Sequence, residues 1–150
     1  MLLISTACVP ARANPEATTA SPPQCDDRVD IAPAIPPEMA AYGVTRAVGS
    51  GDTWFFAPMV DHWSSSVQTE GEGYQLKIGM WMATPNPPDV TVREVDGGQG
   101  NGSTTFGPTA SGLPGPLPSS AHFPTAGCWE IVARGTTGSA FARVHLGAST

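Results

Sequence analysis

Apolar and polar residues alternate along much of the second half of this chain. In Leu76-Lys77-Ile78-Gly79-Met80-Trp81-Met82, the residues Leu76, Ile78, Met80 and Met82 fall on one face, with Lys77, Gly79 and Trp81 on the other. A period of two marks a half-buried strand. Val90-Thr91-Val92-Arg93 repeats the pattern, and the acidic, glycine-rich run from Asp96 to Gly102 predicts a turn or hairpin loop before a strand over Ser103 to Phe106. Earlier, Thr53-Trp54-Phe55-Phe56-Ala57 is a strand whose aromatic content suits a core. Near the end, Trp129, Ile131 and Ala133 alternate with Glu130, Val132 and Arg134. Ala140, Ala142, Val144 and Leu146 then alternate with Phe141, Arg143 and His145, and Gly135 to Gly138 joins the two runs as a short hairpin.

These runs predict an all-β sandwich of about seven short strands. No helix-period stripe of useful length competes, and no repeat at solenoid spacing is visible. Because proline has no N–H for a ladder, Leu113-Pro114-Gly115-Pro116-Leu117-Pro118 predicts a crossing between strands rather than a central strand.

The chain divides into three parts. Residues 1–8, Met1-Leu2-Leu3-Ile4-Ser5-Thr6-Ala7-Cys8, are apolar, then small, then cysteine, like the end of an export signal without its basic and full apolar regions. This stub predicts a start codon further upstream. Ile4-Ser5-Thr6-Ala7-Cys8 resembles a bacterial lipobox, with Ser5 where that pattern prefers Leu, and implies a lipid on Cys8 and a membrane partner through it. Ala11-Arg12-Ala13 is a rival cleavage site that would release a soluble secreted protein. Residues 9–37 form a Pro, Ala, Thr and Ser-rich tether that predicts disorder, and residues 38–150 the sandwich domain.

Composition sharpens this picture. The chain has 17 Gly, 16 Pro and a net charge of −6, with Lys77 its one lysine. Glycine and proline suit turns and are costly in helices. An acidic chain without clustered Lys and Arg excludes a phosphate backbone, hence a nucleic-acid partner.

The run His122-Phe123-Pro124-Thr125-Ala126-Gly127-Cys128-Trp129-Glu130-Ile131, followed by a small-residue hairpin and Phe141-Ala142-Arg143-Val144, resembles the closing segment of a group of bacterial secreted proteins and lipoproteins of uncharacterised function. In that group a "FPTxGCWEV" strand ends an immunoglobulin-like domain. Gly49-Ser50-Gly51-Asp52-Thr53-Trp54 is similar to the glycine-rich run before an early Trp-containing strand of the same group, and Cys25 stands where the group has a cysteine just before it. The resemblance covers Cys25 to Leu146, and its specific part is Gly127-Cys128-Trp129-Glu130. It implies an immunoglobulin-like fold and an extracytoplasmic, cell-envelope location, and carries no catalytic residues across. Three cysteines in an exported protein leave one over. With Cys8 lipidated, Cys25 and Cys128 are expected to pair, closing a loop of about 100 residues credited with about 4–5 kcal/mol at most.

Candidate chemistry is sparse. His62, His122 and His145 are the three histidines, and none has metal or triad spacing; no cofactor is expected, and no G-x-S-x-G elbow is present. His145 is expected to face outward and His122 to sit at a strand entrance. Glu130 is expected to pair with Arg134 or Arg143. A binding or interaction module with a protein or glycan ligand is the main expectation, with recognition on loops at one end of the sandwich. The long, polar, acidic stretch from Val60 to Gly73 is the first choice, with His62, Trp63 and Tyr74 as ligand contacts. Copper handling by Met59, Met80 and Met82 with His62 is one alternative, since soft ligands select Cu(I), although Met80 and Met82 share the face of a core strand. A small extracytoplasmic hydrolase is another.

Overall fold

The computed structural model describes residues 25–95 and 98–147. Nine strands follow a short helix α1 (Pro37–Ala41): β1 (Val48–Ser50), β2 (Thr53–Phe56), β3 (Val67–Glu70), β4 (Gly73–Met82), β5 (Asp89–Glu94), β6 (Ser103–Phe106), β7 (Gly115–Phe123), β8 (Gly127–Arg134) and β9 (Ser139–Leu146). The larger sheet runs β1-β2-β4-β7-β6, with β3 added to the start of β4, and the smaller runs β5-β8-β9. All pairings are antiparallel. The chain changes sheet after β4, β5 and β7. The order β2-β4-β7-β6 against β5-β8-β9 is the seven-strand arrangement of a constant-type immunoglobulin sandwich, to which β1 and β3 add short hairpin arms.

Alternation built this core. Leu76, Ile78, Met80 and Met82 of β4, with Phe55, Leu117, Ala121 and Phe123, bury against Val92, Trp129, Ile131, Ala133, Ala140, Ala142, Val144 and Leu146 of the smaller sheet. The Phe123 and Trp129 rings meet edge to face at 5.5 Å, and Trp129 Nε1 donates to the Thr125 carbonyl at 3.1 Å. The indole thus fills the core while its one polar group is satisfied at the turn before β8. After β5, Arg93 is bridged to Asn101, and the chain then joins the larger sheet at β6.

Within the sandwich, two stretches differ from the sequence reading. The stretch from Pro116 to Pro118 is not a crossing but the first half of β7, paired with Trp81 to Gly79 of β4. The proline rule is still obeyed locally. Gly107 N donates to Pro118 O on the flank away from β4, so the missing proline N–H groups face a side where the ladder partner β6 has already ended at Phe106. Likewise, Val60 to Gly73 is not a long loop. It contains a 3-10 turn (Trp63–Ser66) and the strand β3, whose backbone is held by β4 from Val67↔Leu76 to Glu70↔Gly73.

The N-terminal segment belongs to the domain from Cys25 onward. Cys25 is disulfide-bonded to Cys128 of β8, with Cα atoms 5.4 Å apart and a sequence separation of 103. Arg28 exchanges both backbone hydrogen bonds with Arg143 of β9, at 3.0 and 2.9 Å, and Ala32 N donates to Ala47 O at 2.9 Å. Residues 25–36, grouped by composition with the tether, therefore run along the sandwich. Cys8, Ala13 and the rest of the tether lie outside the described residues.

Candidate functional site

The outer face of the larger sheet is apolar where a solvated strand face would be polar. Trp54 and Trp81, directly opposite one another on β2 and β4, are each 7 % exposed on this face. The sequence places Trp81 away from the core, and so it is; it is buried by a second cluster. Met39 of α1 and Ala47 close over the two indoles, with Ala32, Ile35, Val44 and Phe56 packed around them. Tyr42 adds an edge-to-face contact with Trp81 at 5.6 Å. The segment from Ala32 to Ala47 is thus a roof over one half of the face.

The other half is open. Pro116 is the cross-strand neighbour of Trp81, Pro118 of Gly79 and Ser120 of Lys77, and these outward positions continue the face beyond the roof. There a groove of about 520 Å³ is lined by Phe56, Pro58, Phe106, Pro116, Pro118 and Lys77, among others. Gly79 forms its floor because a Cβ there would meet the Ala57 carbonyl and the Phe56 ring, both at 2.8 Å. Phe106 at the sheet edge is 43 % exposed, one of three large apolar residues so exposed among the described residues. Lys77 is the one charged residue lining the groove, and its side chain makes no ion pair or hydrogen bond among the described residues.

Beyond the groove, the same face turns polar. His122 of β7 shares Nδ1 with Glu70 Oε2 at 2.7 Å and Nε2 with Thr105 Oγ1 at 3.0 Å. The three side chains come from β3, β7 and β6, brought together by the pairings Gln75↔His122 and Ser103↔His122. A second cleft of about 510 Å³ opens at this end, lined by Glu70, Glu72, Tyr74, Asn101 and His122 among others. No family model, curated protein or solved structure matches this chain.

Of the three predicted contact residues, Tyr74 lines the second cleft, and it is half-buried against the core. Trp63 also packs against the core, and His62 is exposed at the start of the 3-10 turn. Met59, Met80 and Met82 are buried in the core, apart from the exposed His62. Among the described residues no group of three or more His, Cys, Asp or Glu could hold a metal ion. His145 faces outward, as its alternation predicts, with its N–H donated to Asp27 at 2.8 Å. The groove was missed, yet it left a signal. Pro116 and Pro118 lie two apart, so on a strand they share one face with Ser120 and His122.

Two buried carboxylates have structural partners. Glu130 is 6 % exposed on the outer face of the smaller sheet, between Arg93 and Arg143 at 2.6 Å each; Arg134, the other partner considered, is not used. Burial works against its charge, but hydrogen bonds from Arg143 and Arg93, and their positive charges, hold its carboxyl below the ordinary value. Asp52, 3 % exposed, accepts the N–H groups of Thr136 and Thr137 at 2.9 and 3.2 Å and the Thr53 hydroxyl at 3.0 Å. Burial again opposes ionisation, and these donors with the Asp52 N–H outweigh it, so this carboxyl too is lowered. Asp52 thereby ties the β1–β2 turn to the β8–β9 hairpin.

Proposed function

We propose that this chain is a non-catalytic binding module of the cell envelope that takes an apolar-bodied ligand on the open half of its outer sheet face. The observation that carries this reading is the division of that face. The chain's own residues from Ala32 to Ala47 roof the indoles of Trp54 and Trp81 and leave the adjoining apolar groove uncovered. Concave apolar surface of a few hundred Å³ with a few polar groups is the usual form of a small-ligand site. A protein or glycan partner would meet the polar end of the face, beside Tyr74, Glu72 and His122. Envelope location is supported by the Cys25–Cys128 disulfide, a bond that persists in oxidising compartments, and by the lipobox-like run ending at Cys8. Release after Ala13 is the alternative outcome for the leader.

Thr105, His122 and Glu70 follow the order hydroxyl, imidazole, carboxylate of a nucleophile relay. We read them as cross-strand hydrogen bonds instead. The backbone N–H groups of Gly102 and Gly107 beside them are already given to Val92 and Pro118 carbonyls, so neither can receive an oxyanion.

The test is uptake of the neutral apolar dye Nile red by the full chain and by Pro118→Glu, which puts a charge on an exposed groove wall. Enhanced dye emission that is lost in Pro118→Glu is expected. No uptake by the folded wild-type protein, or uptake unchanged by the substitution, overturns the groove as the site. Metabolic labelling with an alkyne fatty acid, abolished by Cys8→Ser, is the matching check on the anchor.

A further inference from the structure

We infer that the ligand of the groove is an aliphatic carboxylate, held with its chain along the proline walls and its head group on Lys77. The inference rests on the groove reading above and adds the charge. In a chain of net charge −6 with a single lysine, that lysine lines the apolar groove of the outer face and is the only charged residue among those that line it. It has no carboxylate partner among the described residues, although the chain carries 13 acidic residues and four of its arginines are ion-paired. The position is set by register. Lys77 stands opposite Ser120 on β7, which stands opposite Thr105 on β6, so an ammonium and two hydroxyl-bearing residues form one row across the outer face. Pro118 and Pro116 line the next rows, beside Gly79 and Trp81. A ligand lying along β7 would place apolar carbons on the prolines and an anion at the Lys77–Ser120 row.

Lysine offers three donors on a flexible stem whose methylenes can cover apolar surface while the ammonium stays at the rim. A neutral hydrocarbon would leave that ammonium unused, and a cation would be repelled by it. The pairing is partly exposed, so its contribution is modest, about threefold to fivefold in affinity. The groove should therefore take the carboxylate and its neutral analogue alike in shape and separate them by charge.

The experiment titrates decanoate and 1-decanol, both below their aggregation ranges, into the full chain preloaded with Nile red. Wild type and Lys77→Gln are compared, with circular dichroism as the check on folding. Decanoate is expected to displace the dye at about threefold to fivefold lower concentration than 1-decanol in the wild type. Added salt should shrink that preference, and Lys77→Gln should abolish it. Equal displacement by the two in the wild type, or a preference that survives Lys77→Gln, overturns the carboxylate while leaving the groove intact. Absence of dye uptake overturns the groove reading itself. Binding to phosphatidylglycerol vesicles without displacement by monomeric decanoate overturns a free carboxylate in favour of a lipid surface.

Discussion

Glu130 and Arg143 are direct cross-strand partners on β8 and β9, with Arg143 Nη2 2.6 Å from Glu130 Oε1. Arg93, the partner of Glu130 on β5, reaches the other oxygen at 2.6 Å. Removing the carboxylate leaves two guanidiniums facing each other over a largely buried position, so Glu130→Ala should lose about 2–3 kcal/mol. Arg143→Ala should cost more than Arg93→Ala, because the Arg143 side chain is 30 % exposed and that of Arg93 59 %. Urea unfolding of the three variants at neutral pH gives the order.

Acid should act through the same group and through Asp52. Both carboxyls titrate lower in the folded protein than their ordinary values of 3.8 and 4.5. The unfolded chain therefore binds protons first. The stabilisation is complete above the ordinary values and is lost as pH falls through the folded ones. Urea midpoints measured from about pH 7 to about pH 2.5 should hold level and then drop below about pH 4.5. The double variant Asp52→Asn, Glu130→Gln should start lower at pH 7 and show a flatter acid limb.

The sandwich was legible because β4, β8 and β9 bury the residues their period of two assigns inward. What was illegible depends on partners distant in sequence. Trp81 looks outward in its strand, and nothing local says that Met39 will cover it. Pro116 and Pro118 argue against a strand until β6 is seen to end at Phe106, which leaves their flank without a ladder. The Val60 to Gly73 stretch has the composition of a loop, and β3 exists because β4 begins early enough, at Gly73, to pair with it. Arg93 as a partner of Glu130 required the β5–β8 register, which no spacing in the chain reveals.

Close backbone approach makes one hairpin glycine far more sensitive than another. A Cβ on Gly138 would collide with the Ser50 carbonyl and approach the Asp52 nitrogen to 2.8 Å, where β1 packs on the β8–β9 hairpin. Gly71, in the β3–β4 turn, has φ +59° with nothing within 4 Å of a Cβ. Gly71→Ala should cost about 1 kcal/mol, the backbone preference alone, and Gly138→Ala about 2–3 kcal/mol or more. Thermal unfolding of the pair separates strain from collision.

Reducing the Cys25–Cys128 bond should lower stability by as much as about 4–5 kcal/mol, since it closes nearly the whole domain. Cys25→Ser should reproduce the effect of reductant and be insensitive to it. Alkylation with mass measurement checks the bond directly, because neither thiol should label until reductant is added.

The roof over the indoles is held by few side chains, and that makes it separable from the sandwich. Met39 is fully buried between α1 and the Trp54–Trp81 pair, whereas Tyr42, which touches Trp81 from the rim, is 62 % exposed. Met39→Ala should cost about 2–4 kcal/mol from lost burial and a partly collapsed cavity, and Tyr42→Ala less than about 1 kcal/mol. Met39 belongs to the outer cluster and not to the inner core, so loss should begin at the outer face. In Met39→Ala the tryptophan emission should shift to longer wavelength before the far-ultraviolet signal of the strands is lost, because Trp54 and Trp81 gain solvent while the sheets persist. The same substitution extends the uncovered apolar surface past Pro116 onto Trp81. Nile red uptake by Met39→Ala should therefore exceed that of the wild type, and a fall in uptake would mean that the roof shapes the groove rather than bounding it.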